Sequence, residues 1–88
     1  AQDPSCRVCI IGHTSEEGTE DYNQTLSTQR AVAVQNYMIG RGVMKPRIPA
    51  IGLGERCQLY PESSRVENRR VEFRRLQENE SCPTDCSR

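Results

Sequence analysis

The order of regular elements predicted by this sequence, a strand, a helix and two further strands, indicates a small mixed α+β domain. A β-branched run, CRVCII, is short enough for a strand that is buried on at least one face. Apolar residues then recur at helical spacing, and two later segments have strand composition. The predicted elements are a strand over residues 6–11, a helix from Ser27, and strands over residues 47–51 and 69–76. A chain of 88 residues forms one domain with a modest core.

Alternation along the first strand places Val8 and Ile10 on one face and Cys9 and Ile11 on the other. Cys6 falls on the face of Val8, and Arg7 on the face of Cys9. The following segment, residues 12–23, contains two glycines, several hydroxyl groups and four acidic side chains. It is therefore predicted to be a loop.

The helix is predicted to begin at Ser27, whose hydroxyl suits an N-cap. Gly42 fits the left-handed position just beyond its last turn. A loop between a strand and a helix presents backbone N–H groups to a ligand, so a binding site is expected there. The predicted apolar stripe consists of Ala31, Val32, Val34, Met38 and Ile39.

Pro49 cannot donate a hydrogen bond to a neighbouring strand, so the strand over residues 47–51 is expected at an edge or at a bulge. Residues 57–68 are predicted to form a polar loop. In the last strand, Val71 and Phe73 share a face, and Arg70, Arg74 and Arg75 are expected to be solvated. We divide the chain into a domain over residues 1–76 and an irregular, cysteine-containing tail over residues 77–88.

Composition excludes several function classes. The chain has 12 basic and 12 acidic residues, so neither nucleic acid nor an anionic membrane is a favoured partner. No apolar run approaches the roughly 20 residues that span a bilayer. The chain has one histidine, His13, no phosphate-binding loop and no G-x-S-x-G motif, and His13 is expected to be a satisfied loop residue rather than a metal ligand. We therefore predict a binding module that is not an enzyme and uses no cofactor.

Five cysteines in a chain of this length suggest an oxidising compartment. Disulfides are the favoured interpretation, with a tail cysteine reaching back to the first strand. A zinc site built from C-x-x-C and C-x-x-x-C is a second interpretation, although alternation points the first two thiols to opposite faces. A thiol-redox C-x-x-C is a third. The candidates for disulfide bonding are Cys6, Cys9, Cys57, Cys82 and Cys86.

Three ordered motifs carry a family resemblance: GHTSEEGTEDYNQTLSTQRA from Gly12, RIPAIGLGE from Arg47, and NRRV from Asn68. Together they resemble the peptidoglycan-binding C-terminal domain of outer-membrane protein A, which is shared with the peptidoglycan-associated lipoprotein and MotB. The resemblance implies an α+β fold, a βαβαββ-type two-layer sandwich that here lacks the first strand and helix. It also implies a location in the periplasm, associated with the outer membrane or the cell wall.

The resemblance implies that the chain anchors an envelope protein to the cell wall by binding the diaminopimelate-containing stem peptide of peptidoglycan without covalent chemistry. In the family, a helix arginine pairs with the carboxylate of diaminopimelate, and an aspartate of G-H-T-D accepts hydrogen bonds from its ammonium or amide end. These positions are Arg30 and Ser15 here, with Glu16 or Glu17 as candidates to compensate for the missing charge. The implied ligand-binding residues are Thr14, Ser15, Asn23, Leu26, Arg30, Asn68 and Arg69.

Two departures from the family pattern leave alternatives open. Ser15 supplies no charge, so the domain is either a wall binder or a diverged structural and protein-interaction module of an envelope complex. Only five residues precede the first predicted strand. Either the chain is a fragment, or a further segment, a second copy in a homodimer or an envelope protein covers the exposed sheet edge.

Overall fold

The computed structural model describes residues 6–15, 18–55 and 69–84. They form a three-stranded sheet with one long helix packed on it, which confirms the predicted α+β class. The elements are β1 (Arg7–Gly12), α1 (Glu20–Gly40), a 3₁₀ turn (Lys45–Arg47), β2 (Ala50–Gly52) and β3 (Val71–Leu76). The strand order is β2-β1-β3, with β2 parallel and β3 antiparallel to the central β1.

Helix α1 begins seven residues before the predicted N-cap. Thr19 is the N-cap, and its hydroxyl accepts a hydrogen bond of 3.0 Å from the backbone N–H of Tyr22. The negative charges of Glu20 and Asp21 in the first turn interact favourably with the positive end of the helix dipole and stabilise the start of α1. The prediction that residues 12–23 are all loop is therefore wrong, since residues 20–23 are helical. The first helical turns carry almost no apolar side chains, so apolar periodicity does not reveal them. The helix ends as predicted near Gly42, whose φ is 103°.

Ser27 is an interior helix residue rather than an N-cap. Its side chain is fully buried, and its Oγ accepts a hydrogen bond of 2.8 Å from the backbone N–H of Gly54. The hydroxyl thus binds a backbone donor, as expected of a capping serine, but the donor belongs to the turn after β2. The residues of α1 that are buried form a row at four-residue spacing: Asn23, Ser27, Ala31 and Gln35.

The helix lies close against the sheet at a pair of glycines. Gly12 and Gly52 are partners in the parallel β1–β2 register. A Cβ atom on Gly12 would collide with the carbonyl group of Ser27, and one on Gly52 would collide with Ser27 and Thr28. The polar helix face can therefore lie directly on backbone at this end of the sheet.

Apolar packing under the helix lies towards the other end of the sheet. Ile10 and Ala31 are fully buried there together with Ile48. Gln35 donates a hydrogen bond of 2.8 Å to the carbonyl of Ile48, which satisfies a buried polar group within this core. Partly buried residues that pack against this cluster are Val34, Met38, Ile39, Val43, Ala50 and Val71. Of the predicted apolar stripe, Ala31, Val34, Met38 and Ile39 belong to this packing, whereas Val32 is partly buried and is not part of the cluster.

The opposite face of the sheet has a core of its own. Cys9 and Ile11 point away from the helix and are buried with Leu53 and Leu76. A disulfide joins Cys9 to Cys82. This bond confirms the expectation of a link between a tail cysteine and the first strand.

The Cys9–Cys82 disulfide is incompatible with the two other interpretations of the first cysteine pair. Cys9 is bonded to the tail rather than to a metal or to Cys6, and Cys6 is a free thiol. No group of three or more potential metal ligands occurs within residues 6–15, 18–55 and 69–84. Two further candidates, Cys57 and Cys86, lie outside the described residues, as do Glu16, Glu17 and the predicted loop over residues 57–68.

The two later strands are shorter than predicted. Residues 45–47 form a 3₁₀ turn, so β2 starts at Ala50, and Pro49 precedes it and accepts a hydrogen bond of 2.8 Å from the N–H of Ile10. Strand β2, which follows Pro49, lies at an edge of the described sheet, and this confirms the prediction made from that proline. Strand β3 starts at Val71. No helix in the described part of the chain has the length and hydropathy needed to cross a membrane.

Candidate functional site

Three loops meet at one end of the sheet, where β1 and β2 finish and β3 begins. The backbone N–H of His13 donates to the carbonyl of Arg70 over 2.8 Å, and that of Thr14 donates to the carbonyl of Gly54 over 2.9 Å. Leu53 in turn donates to the carbonyl of Gly12 over 3.0 Å. These bonds fix the segment after β1 between the other two loops, so its side chains occupy defined positions.

Arg30 reaches this loop from the first half of α1. Its side chain is partly buried, and Nη1 donates a hydrogen bond of 3.1 Å to the carbonyl oxygen of His13. No carboxylate among the residues that the structure describes lies within ion-pair distance of the Arg30 guanidinium. Since a guanidinium has five N–H donors and this bond uses one, Arg30 can also bind a carboxylate supplied by a ligand.

Thr14 and Ser15 are almost completely enclosed, with 2% and 3% of their surfaces exposed. Asn23 is equally buried, and its Nδ2 donates a hydrogen bond of 2.8 Å to Oε1 of Glu55. The Asn23 amide therefore joins the first turn of α1 to the loop after β2. Its observed partner is a protein carboxylate, so its role as a ligand-binding residue stays a prediction.

His13 belongs to a buried polar cluster below the loop. Its ring is 1% exposed, and Nε2 lies 3.2 Å from Oε1 of Glu72. The other carboxylate oxygen of Glu72 accepts a hydrogen bond of 2.7 Å from Nε of Arg70, whose side chain is 15% exposed. The prediction that Arg70 belongs to a solvated face is therefore wrong, because it pairs with Glu72; Arg74 and Arg75 are exposed as expected.

The structure brings most of the predicted site residues to this end of the sheet, although not in equal roles. Thr14, Ser15 and Arg30 lie in or against the loop after β1. Leu26 is a partly buried residue of α1, and Arg69 is exposed just before β3. Asn68 lies outside the described residues.

Two carboxylates at the site, Glu55 and Glu72, are absent from the predicted set. Glu55 ends the quoted motif RIPAIGLGE, and Glu72 lies on the same strand face as Arg70 at a spacing of two residues. The motif position of Glu55 and the spacing of Glu72 from Arg70 are both visible in the sequence. The partners of the two carboxylates, Asn23 and His13, are distant along the chain, so only the folded structure identifies them.

The OmpA family profile matches residues 1–72 of the chain, which is well over half of it. The chain belongs to the OmpA family. The resemblance carried by the three motifs is thereby confirmed. The members that this chain resembles are structural domains, so the prediction of a domain that is not an enzyme is also confirmed at the level of the family.

Relatives within the OmpA family show how much of each protein this domain corresponds to. The peptidoglycan-associated lipoprotein of Pseudomonas aeruginosa is 38% identical over 72 residues, which cover 78% of this chain and 43% of that protein. The peptidoglycan-binding protein ArfA of Mycobacterium tuberculosis is 42% identical over 74 residues, which cover 80% of this chain and 22% of that protein. The chain thus spans less than half the length of these relatives.

Among solved structures, the crystal structure of the peptidoglycan-associated lipoprotein from Burkholderia pseudomallei superposes with a TM-score of 0.75 at 32% identity. The match covers 83% of this chain and 64% of that one. The predicted OmpA-like α+β fold is therefore confirmed, and the relatives are proteins of the bacterial envelope.

Proposed function

We propose that this OmpA family domain binds the diaminopimelate-containing stem peptide of peptidoglycan and so anchors an envelope protein or complex to the cell wall. The relatives named above are peptidoglycan-associated or peptidoglycan-binding proteins, which supports the ligand class. The main support for the proposal is the position of Arg30. Its guanidinium is partly buried beside the loop after β1, and its hydrogen bond to the His13 carbonyl uses only one of its five N–H donors. The site is compatible with a location in the periplasm at the outer membrane or cell wall.

The expected interaction is charge-assisted. A carboxylate of the stem would accept hydrogen bonds from the guanidinium of Arg30, whose hydrogen bond to the His13 carbonyl orients it towards the loop. The buried residues Thr14 and Ser15 would line the site beside Arg30, and Arg69, which is exposed just before β3, would supply a second cation. Asn68 remains part of the proposed site, as does Leu26.

Titration of the chain with a soluble, diaminopimelate-containing muropeptide by calorimetry tests this proposal. Replacing Arg30 with Ala should weaken binding by about 1.5–3 kcal/mol, which is roughly 10- to 100-fold, because a charged hydrogen-bonding partner is removed. Arg41→Ala is the matched control, since Arg41 is an exposed arginine at the other end of α1. Equal binding by the Arg30 and Arg41 variants, or no binding by the unmodified chain, would contradict the proposal.

A second candidate function is that of a protein-interaction module in an envelope complex. An apolar groove on the helix side of the sheet favours it: Val8, Met38 and Phe73 line the groove, and Phe73 remains 57% exposed. Strand β3 beside it is an edge strand of the described sheet, so a homodimer partner or another envelope protein could pair with it. Sedimentation analysis that shows a stable dimer, broken by Phe73→Glu, would support this alternative.

A further inference from the structure

We propose that this chain forms a two-fold dimer in which the outer edge of β3 pairs with the same edge of a second copy, antiparallel and centred on Phe73. This dimer rests on the second function proposed above, the protein-interaction module, and gives it one partner and one register. Its formation does not require stem binding at Arg30. Three properties of β3 support it: the direction of its backbone groups, the exposure of its apolar side chain and the order of its charges.

The outer edge of β3 presents the backbone groups of alternate residues. The N–H of His13 donates to the carbonyl of Arg70 at the point where the antiparallel pairing of β1 and β3 ends. In an antiparallel ladder, the backbone groups of every second residue point to the neighbouring strand. The residues that point their N–H and carbonyl groups away from β1 are therefore Val71, Phe73 and Arg75. Within the described residues, no strand pairs with that side of β3.

Helix α1 does not cover this edge, because it packs mainly over β1 and β2. Phe73, on the helix side of β3, is 57% exposed and lines the apolar groove together with Val8 and Met38. Covering an exposed phenylalanine ring removes apolar surface from water and so favours association. The middle of β3 thus combines outward-facing backbone groups with an exposed aromatic side chain.

The charges of β3 select one register. Two identical antiparallel strands are related by a two-fold axis, and the residue at that axis decides which side chains lie opposite each other. When Phe73 is at the axis, Glu72 of each copy lies opposite Arg74 of the other, and the two Phe73 rings are neighbours. Glu72 at the axis would oppose two carboxylates, and Arg74 would oppose two guanidinium groups. Opposite charges stabilise such cross-strand pairs and like charges destabilise them, so Phe73 is the favoured centre.

Pairing with a second copy leaves the observed contacts of Glu72 in place. Its carboxylate lies 3.2 Å from His13 and 2.7 Å from Arg70 within its own copy. An ionised carboxylate has about four acceptor positions, so it can accept a further hydrogen bond. Arg74 is an exposed residue, and in this register its guanidinium would supply that donor from the opposite strand.

The dimer would join the two described sheets into one and place the two Arg30 sites at its opposite ends. Each site lies where its own β3 begins, and the two β3 strands run in opposite directions. An interface of this symmetry uses the same edge of both copies, so association stops at the dimer. A dimeric domain would present two sites to the cell wall, which increases the overall affinity beyond that of one site.

Sedimentation equilibrium of the full chain at a series of concentrations tests this dimer. The unmodified chain should approach twice its monomer mass as the concentration rises. Arg74→Glu should raise the dimer dissociation constant by about 10-fold or more, because two pairs of carboxylates would then face each other. Two controls should change that constant by less than about threefold. Arg74→Lys keeps the charge, and Arg41→Glu makes the same change of net charge at an exposed residue beyond α1.

Amide hydrogen exchange, followed by nuclear magnetic resonance, is a second measurement and needs no variant. The N–H groups of Val71, Phe73 and Arg75 would donate to the second copy in the dimer. Their exchange should therefore slow as the concentration of the chain rises. Slow exchange that does not depend on concentration would show that another part of the chain covers this edge, and would overturn the proposal.

The remaining outcomes also decide the question. A monomer at every concentration overturns the dimer, and a dimer that Arg74→Glu leaves intact overturns the pairing centred on Phe73. Calorimetric titration of Arg74→Glu with the muropeptide reports on the Arg30 site separately. Loss of stem binding therefore leaves the dimer in place, and absence of the dimer leaves stem binding in place, so the two proposals fail independently.

Discussion

At the scale of single residues, the glycines Gly12 and Gly52 determine how the helix meets the sheet. They are paired across β1 and β2, and a side chain on either would collide with the segment of α1 around Ser27. Their absence of a Cβ lets Ser27 reach the N–H of Gly54 over 2.8 Å. The same contact fixes the loop after β2, which holds Glu55 and, through it, Asn23. The position of the candidate site thus depends on the lack of a side chain at Gly12 and Gly52.

We expect Gly12→Ala to lower the free energy of unfolding by about 2–3 kcal/mol, because the added methyl group would force α1 away from the sheet. Gly40→Ala is the matched control: apart from its chain neighbours and the backbone of its own helix, no atom of the described residues lies within 4 Å of its ideal Cβ position. This substitution should have no effect or stabilise the helix by up to about 1 kcal/mol. Urea denaturation followed by circular dichroism measures both. Similar midpoints for the two variants would contradict the proposed close approach.

At the same scale, Glu72 links His13 to Arg70 below the loop. Glu72→Gln keeps the shape of the side chain but removes its negative charge. In the structure, Oε2 of Glu72 accepts a hydrogen bond of 2.7 Å from Nε of Arg70. Loss of a partly buried, charge-assisted bond should cost on the order of 1.5–3 kcal/mol of stability. Thermal denaturation measures this effect, with Glu78→Gln as a control at an exposed position. An unchanged melting temperature for Glu72→Gln would show that the cluster is not stabilising.

At the scale of elements, α1 begins where its capping group is, rather than where its apolar residues begin. Thr19 accepts a bond from Tyr22, and two acidic residues follow it in the first turn. The first half of the helix contacts the sheet through polar and small side chains such as Asn23 and Ser27. These extra turns bring Asn23 and Leu26 into the helix and set the direction from which Arg30 reaches the loop.

Thr19→Ala should destabilise the domain by about 1 kcal/mol, because the N–H of Tyr22 loses its acceptor. In a domain of this size that corresponds to a decrease in melting temperature of about 4–8 °C. Thr25→Ala, at an exposed interior position of the same helix, should be neutral or slightly stabilising. A larger decrease for Thr25→Ala than for Thr19→Ala would argue against Thr19 as the N-cap.

At the scale of the whole molecule, the segment after β3 closes the second face of the sheet. The disulfide joins Cys9 and Cys82 across a sequence separation of 73 residues. Arg7 adds hydrogen bonds of 3.1 Å and 2.7 Å to the carbonyls of Gln77 and Glu80. The covered face contains Ile11, Leu53 and Leu76. A division of the chain at residue 76 remains a prediction.

Replacing Cys82 with Ser should lower the free energy of unfolding by about 2–4 kcal/mol under oxidising conditions, because a long loop is no longer closed in the unfolded chain. Cys6→Ser is the matched control, since Cys6 is a free thiol. Peptide mapping under non-reducing conditions should identify the Cys9–Cys82 link in the unmodified chain. Its absence from the map, or equal stability of the two variants, would contradict this bond.

The sequence was sufficient for local features whose physical cause is local. Alternation in the first strand correctly separated Ile10 from Cys9 and Ile11, because strand geometry alone sends neighbouring side chains to opposite faces. Pro49 correctly indicated an edge strand. The start of α1 was misplaced because a search for apolar periodicity does not detect a buried row of polar and small residues.

The sequence by itself thus determined the α+β class, the family motifs, the candidate loop after the first strand and the cation Arg30. Only the tertiary structure decided which residues hold that loop: Asn23 with Glu55, and His13 with Glu72 and Arg70. It also decided which of the candidate cysteines pairs with Cys82. The physical reason is that these contacts join positions far apart in the chain, and burial selects their partners only after helix and strands have packed.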